Sequence, residues 1–153
     1  MSETLPLNAV ELRAWRAVID GSWHLQTRLD DELRADTGLS MADYHVLVLL
    51  SEAPQRRLRM GEIASRLVFS PSRLTYQISA MEKRGLVRRQ PCPDDRRGSE
   101  AVLTETGLDA LRTAAAGHLT AVRRYLVDDL DETETEVLTR VFTRLQAKLR
   151  ETR

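Results

Sequence analysis

Side chains able to grip a polyanion are concentrated in one stretch of this sequence. Between positions 56 and 97 stand eleven lysines and arginines (Arg56, Arg57, Arg59, Arg66, Arg73, Lys83, Arg84, Arg88, Arg89, Arg96 and Arg97) against four acids (Glu62, Glu82, Asp94 and Asp95), a net charge of +7. The 153-residue chain as a whole is neutral, with 23 basic and 23 acidic residues, so the remainder carries −7. A basic segment inside a neutral protein points to one surface made for a polyanion.

The spacing within that stretch narrows the chemistry. Leu74, Ile78 and Met81 recur at i, i+4 and i+7 of a predicted helix opening at Ser70-Pro71, and belong on its inner side. The other side then carries Ser72, Tyr76, Ser79 and Lys83, with Arg73 and Thr75 flanking it near the N-terminus. Small hydroxyls, one Arg and one Tyr at the front of a short helix suit entry into a DNA major groove. Arg pairs bidentately with guanine, Ser and Thr reach bases or phosphates, and a helix N-terminus capped by Ser70 favours a phosphate. An ordinary amphipathic helix with a solvated face has the same pattern. Further on, PCPDDRRGS joins two short alternating segments, Leu86 to Gln90 and Glu100 to Leu103, and places Arg96 and Arg97 at the tip of a predicted ribbon. An arginine there can reach a narrow minor groove, and Asp94 or Asp95 can hold it in one pose. A solvated charged turn is the plain alternative. Helix-turn-helix followed by basic ribbon is far more specific than either part.

These groups need a scaffold, and local signals outline one. A long helix is predicted over 8–35, with Val10, Ala14, Val18, Leu25, Leu29 and Leu33 at helical spacing and Thr37-Gly38 closing it. Such a helix is about 40 Å long, more than one small core can cover, and a second copy of the chain is the simplest partner for the surplus. Ser40 with Asp43 starts a second helix, Met41 to Glu52, ended by Pro54. A third begins near Met60, Val68-Phe69 form a turn, and the fourth ends at Gly85. Thr104 caps a fifth helix running to about Asp128, and Asp131 with Glu134 caps a sixth running to about Arg150. On the sixth, Leu138, Phe142, Leu145 and Leu149 form one stripe. The expected class is therefore mainly α with a small β-hairpin.

Composition removes several alternatives. Hydrophobic content of 42% and charged content of 30% are ordinary for a globular protein. The single cysteine, Cys92, rules out an internal disulfide framework and fits a reducing cytoplasm. The N-terminus lacks an apolar signal core, and the longest apolar run, Val46 to Leu50, is too short for a membrane span. There is no Gly-rich phosphate loop, G-x-S-x-G, HExxH or CxxC, so no enzyme class, cofactor or metal is expected.

The order MGEIASRLVFSPSRLTYQISAMEKRGLVRRQPCPDDRRGSEAVLTETG resembles the winged helix-turn-helix core of the MarR transcriptional regulators. The matching pieces are IAxxL, MEKRGLV, the DRRG tip and LTxxG, and the flanking long helices extend the resemblance over nearly the whole chain. The resemblance implies a single MarR-type domain over 1–153, with a winged helix-turn-helix core at 40–104 and dimerisation helices at 8–35 and 105–150. It implies a homodimer on a pseudo-palindromic operator of double-stranded DNA, acting as a repressor. DNA-contact candidates are Ser70, Ser72, Arg73, Thr75, Tyr76, Lys83, Asp95, Arg96 and Arg97, with Asp95 and Arg97 matching the family's wing Asp-x-Arg pair. Arg59 departs from the pattern, standing where many members place a Thr or Ser cap.

The resemblance also implies a small effector, aromatic or anionic, that lowers DNA affinity. Trp15, Trp23 and His24 on the first helix, with Tyr44 and His45 on the second, are the candidate lining, although residues of these types are as well suited to a core or a dimer interface. Two other readings stand beside this one. Cys92, near Arg88, Arg89 and Arg96, is a candidate redox sensor because nearby cations favour a thiolate. Alternatively, the chain is a helical dimeric module whose basic middle docks an acidic protein.

Overall fold

Among the residues described by the computed structural model, 5–93 and 95–151, six helices and three strands alternate in an order set largely by local capping. The elements are α1 (Ala9–Thr37), α2 (Met41–Glu52), a 3-10 turn (Pro54–Arg56), β1 (Arg57–Arg59), α3 (Met60–Leu67), α4 (Pro71–Lys83), β2 (Val87–Cys92), β3 (Asp95–Leu103), α5 (Glu105–Tyr125), a second 3-10 turn (Val127–Asp129) and α6 (Glu132–Glu151). For Arg96, Arg97 and Glu151 the description covers the backbone alone. Three capping boxes open helices. Asn8 pairs with Glu11 at α1, Ser40 with Asp43 at α2, and Asp131 with Glu134 at α6. Each satisfies otherwise orphaned N–H groups at a helix start.

Two compact units are distinguished, Met1–His118 and Leu119–Arg153, with the division inside α5. In the first, Val46, Leu47 and Leu50 of α2 meet Ile63 of α3, Leu74, Ile78 and Met81 of α4, and Val87 and Ala101 of the sheet in one fully buried cluster. Each large aliphatic group so buried stabilises the fold by about 1.5–3 kcal/mol.

The sheet is three-stranded and antiparallel, in the order β1-β3-β2. The hairpin expected from the sequence is present and longer than its alternating segments, with a register shift between Pro91 and Cys92. The extra strand is β1, whose Arg57, Leu58 and Arg59 pair with Val102, Ala101 and Glu100. Three residues are too few for a periodicity, so β1 exists only through its pairing with β3.

The LTETG motif has a plain packing reason. The Thr104 hydroxyl accepts the Gly107 N–H at 3.0 Å and directs its own hydrogen at the Gly85 and Leu86 carbonyls, 2.6 and 2.9 Å away. A Cβ at Gly107 would run into the Leu86 carbonyl oxygen, so only glycine lets α5 start against the end of the α4–β2 turn.

Burial sorts one predicted row, and one predicted helix end is corrected. Of the predicted apolar row on α1, only Leu29 and Leu33 are buried, while Val10 is 65% exposed and Val18 is exposed too. The row says which residues share a side of α1, and burial is confined to the part of that side nearest the C-terminal end of the helix. The fifth helix also ends at Tyr125, earlier than expected, because a 3-10 turn takes over at Val127.

Candidate nucleic-acid interface

The turn between α3 and α4 aims the front of α4 outward. Ser70 caps α4 by accepting the Arg73 N–H at 3.2 Å, Pro71 occupies the first turn, and the turn holds no acidic residue. Leu74, Ile78 and Met81 are buried as expected, which leaves Ser72, Arg73, Thr75, Tyr76 and Lys83 exposed. The Thr75 hydroxyl donates to the Pro71 carbonyl at 2.9 Å, and the Ser70 and Ser72 hydroxyls lie 3.2 Å apart. The Arg73 guanidinium sits 3.9 Å over the Phe69 ring.

Ion pairing sorts the eleven basic residues in a way their sequence does not show. Arg56 pairs with Glu105, Arg57 with Glu100, Arg59 with Asp95, Arg66 with Glu62, Arg84 with Asp43 and Arg89 with Glu82. Arg73, Lys83 and Arg88 carry no ion pair among the described residues and are exposed. Arg96 and Arg97 belong by backbone to β3, at the ribbon tip where they were expected; their side chains, like the whole of Asp94, lie outside the described residues. The cations left for an external anion therefore centre on α4 and its exit.

Two pairs hold the ribbon to the helices. The Arg89 N–H donates to Glu82 Oε1 at 2.9 Å, tying β2 to α4. Arg59 Nη1 lies 3.8 Å from Asp95 Oδ2, linking the start of α3 to the ribbon. Arg59 makes no capping hydrogen bond, so its departure from the Thr or Ser expected there leaves α3 uncapped while adding that link. At Gly98 of DRRG an added Cβ would lie 2.9 Å from Asp95 Oδ2 and 3.0 Å from Cys92 Sγ, so a larger residue there would have to displace those side chains.

The effector candidates divide. Tyr44 is buried with its ring 6.4 Å from His45 and 4.5 Å from His118, a residue the effector reading had not included. Sequence separation hid His118: it lies on α5, far along the chain from α2. Packing against its neighbours favours the neutral imidazole at His45, although its surface is exposed, and burial does so at the half-buried His118, where the neighbouring His45 adds to the effect. Burial also raises the Tyr44 hydroxyl above its ordinary value. His118 Nδ1 is buried without a hydrogen-bond partner. Trp15, Trp23 and His24 are exposed on α1, and no ring contact joins them to this cluster among the described residues. A separate cleft of about 500 Å3 beside β1, lined by Glu52, Arg57, Arg59, Glu62, Arg66 and Glu100 among others, includes none of these candidates.

Cys92 is a free thiol with 5% exposure, shielded from solvent at the end of β2. That burial weighs against the redox reading, which needs an accessible thiolate. Among the described residues, no helix is long and apolar enough to cross a membrane.

The MarR family pattern matches residues 39–99. The chain is similar to AbsC, a MarR family transcriptional regulator from Streptomyces coelicolor, at 39% identity over 97% of this chain and 99% of that one, with a TM-score of 0.91. It is also similar to Sco3205, a MarR family transcriptional regulator of the same organism solved in complex with DNA, at 38% identity over 97% and 93%, with a TM-score of 0.93. The HTH-type transcriptional regulator MhqR of Bacillus subtilis is 26% identical over 94% of this chain and 91% of its own length.

Proposed function

This chain belongs to the MarR family of transcriptional regulators, and on that premise we propose that it recognises a specific double-stranded DNA operator as a homodimer and represses transcription by occupying it. The observation that carries this reading is the outer side of α4. It combines an acid-free, Ser70-capped N-terminus, exposed Ser72, Thr75 and Tyr76, and an Arg73 whose side chain makes no hydrogen bond or ion pair among the described residues. A DNA complex of a relative 38% identical over nearly the full chain supports the same use of the fold. In this reading α4 enters the major groove. Arg73 and Ser72 address bases, Tyr76 and Thr75 contact the strand beside them, Ser70 and Lys83 serve phosphates, and Arg96 and Arg97 take the minor groove with Asp95 at the wing base.

Dimerisation is supported by apolar surface in each unit considered alone. Leu7, Val10, Trp15, Val18 and Trp23 are exposed on the N-terminal side, and α6 buries none of its apolar stripe. A homodimer supplies the cover these residues lack and matches a pseudo-palindromic operator. The Tyr44, His45 and His118 cluster supports an effector site for a small aromatic or anionic molecule whose binding releases DNA, with Trp15, Trp23 and His24 meeting it only if dimer assembly brings them there. The reading places the protein in the cytoplasm as a regulator without catalytic activity.

The test is selection of random duplexes by the purified protein at two salt concentrations. Enrichment of an inverted repeat with half-sites about one helical turn apart is expected. No enrichment, with binding abolished by modest salt, would leave only nonspecific phosphate contact and would favour the protein-docking alternative.

A further inference from the structure

An arginine in the first turn of a helix opposes the helix dipole, because that end already carries positive partial charge from unpaired N–H groups. Arg73 occupies that position in α4, and no acid in the turn offsets it. Departures of this kind concentrate at functional sites. What holds the side chain is the ring of Phe69, four residues earlier in the α3–α4 turn, with the guanidinium carbon 3.9 Å from its centroid.

Phe69 makes two contacts. It packs against the core cluster that contains Leu74, and Phe69 and Leu74 have the spacing of a hydrophobic staple at a helix start. Its ring also carries the guanidinium. A guanidinium held over a ring that is itself packed against the core loses rotamer freedom, while this contact ties none of its N–H donors to a hydrogen-bond acceptor. No hydrogen bond or ion pair of the Arg73 side chain competes for those donors among the described residues.

We infer that Phe69 is a positioning residue for base recognition: its core-anchored ring presets the Arg73 guanidinium for a single base pair in each half-site, so Phe69 determines DNA specificity without touching DNA. The inference rests on the reading of α4 as the groove helix. Preorganisation of this kind strengthens the bond to the matching base without adding charge, so it acts on specificity and leaves nonspecific affinity alone.

The test uses the full chain and the duplex enriched from a random library by the wild-type protein. Affinities for that duplex and its single-base variants are measured for wild type, Arg73→Ala, Phe69→Leu and Phe69→Trp, with the unfolding midpoint of each. Arg73→Ala is expected to flatten the preference at one base pair per half-site. Phe69→Leu keeps an apolar group against the core and is expected to lower that same preference about two- to fivefold, the strength of an exposed cation–π contact, leaving other positions and random duplex unchanged. Phe69→Trp is expected to restore it. Should Phe69→Leu not fold, Phe69→Met takes its place. Full preference at that pair without the aromatic ring, or tighter binding than wild type, overturns the inference, because the stack is then idle or holds Arg73 back. If Arg73→Ala leaves every base preference intact, the assignment of Arg73 as a base reader fails and the inference falls with it, whereas an effect of Arg73→Ala but not of Phe69→Leu refutes Phe69 alone.

Discussion

Arg84 at the end of α4 donates from Nη1 to the buried carboxylate of Asp43 at 2.9 Å, and from Nη2 to the Gly38 carbonyl at 3.1 Å. The same carboxylate caps α2 through the Ser40 N–H at 2.9 Å and accepts from Gln77 of α4 at 2.5 Å. Asp43 thus joins the start of α2 to two points on the helix assigned to DNA, and Arg84 carries the link on to the end of α1. Asp43→Ala leaves three donors without their acceptor, and is expected to lower the unfolding free energy by about 2–4 kcal/mol. Arg84→Met, at a partly exposed site where water replaces some of the interaction, is expected to lower it by about 1–2 kcal/mol. Urea unfolding of both checks this, and a loss below about 0.5 kcal/mol for Asp43→Ala would show that the joint contributes little to stability.

The uncapped start of α3 offers a substitution with opposite effects on stability and binding. Arg59→Ser supplies a hydroxyl cap worth about 1 kcal/mol and removes a long, exposed ion pair to Asp95 worth less than that. Thermal unfolding is expected to shift upward while operator affinity falls, because a link to the ribbon is gone. A simultaneous loss of stability would mean that the Arg59–Asp95 pair outweighs a cap.

At the wing, Arg97→Ala is expected to reduce operator affinity by tenfold or more and to lower the salt dependence by roughly one unit. Gel-shift titrations over a range of salt concentrations measure both. Unchanged affinity at physiological salt would remove Arg97 from the interface.

The exposed apolar residues of α1 and of α6 give the proposed homodimer its test. Sedimentation is expected to show a dimer at micromolar concentration, and Val10→Asp combined with Leu149→Asp to shift it to monomer with weaker operator binding. A wild-type monomer at that concentration would remove the homodimer from the proposed function.

The histidine pair predicts an acid-sensitive fold. His45 and His118 are held below their ordinary value of 6.5, in both cases mainly by burial, so the unfolded chain takes up protons first as the pH falls. Their contribution is therefore present above pH 6.5 and is lost as the pH drops through their depressed values. Asp30 acts in a lower window. Partial burial works to raise it, but hydrogen bonds from Arg34 and the Met41 amide outweigh that and place it below 3.8, so its contribution goes only as the pH falls past that value. The unfolding midpoint is expected to fall between pH 7 and pH 5, and less so in His118→Leu, which also removes the unpartnered Nδ1. An identical pH profile in that variant would free His118 of the effect.

Much of the fold was legible from short-range signals. The Ser40 and Asp131 boxes, the Ser70-Pro71 start and the Leu74, Ile78 and Met81 row each depend on residues within two turns of one another, and a helix start or an inner face is decided at that range. The make-up of the exposed side of α4 followed, because naming the buried row names the exposed one. Tertiary structure alone decided the rest. Which arginines are committed to structure depends on partners such as Asp43 for Arg84 and Glu100 for Arg57, 41 and 43 residues away, and no local pattern encodes such a meeting. The same holds for β1, made a strand only by β3, and for His118, brought to Tyr44 by the packing of α5. Helical spacing can say that side chains share a face, but what that face meets is set by the long-range closure of the chain, which is why the α1 row alone did not single out Leu29 and Leu33 as its buried members.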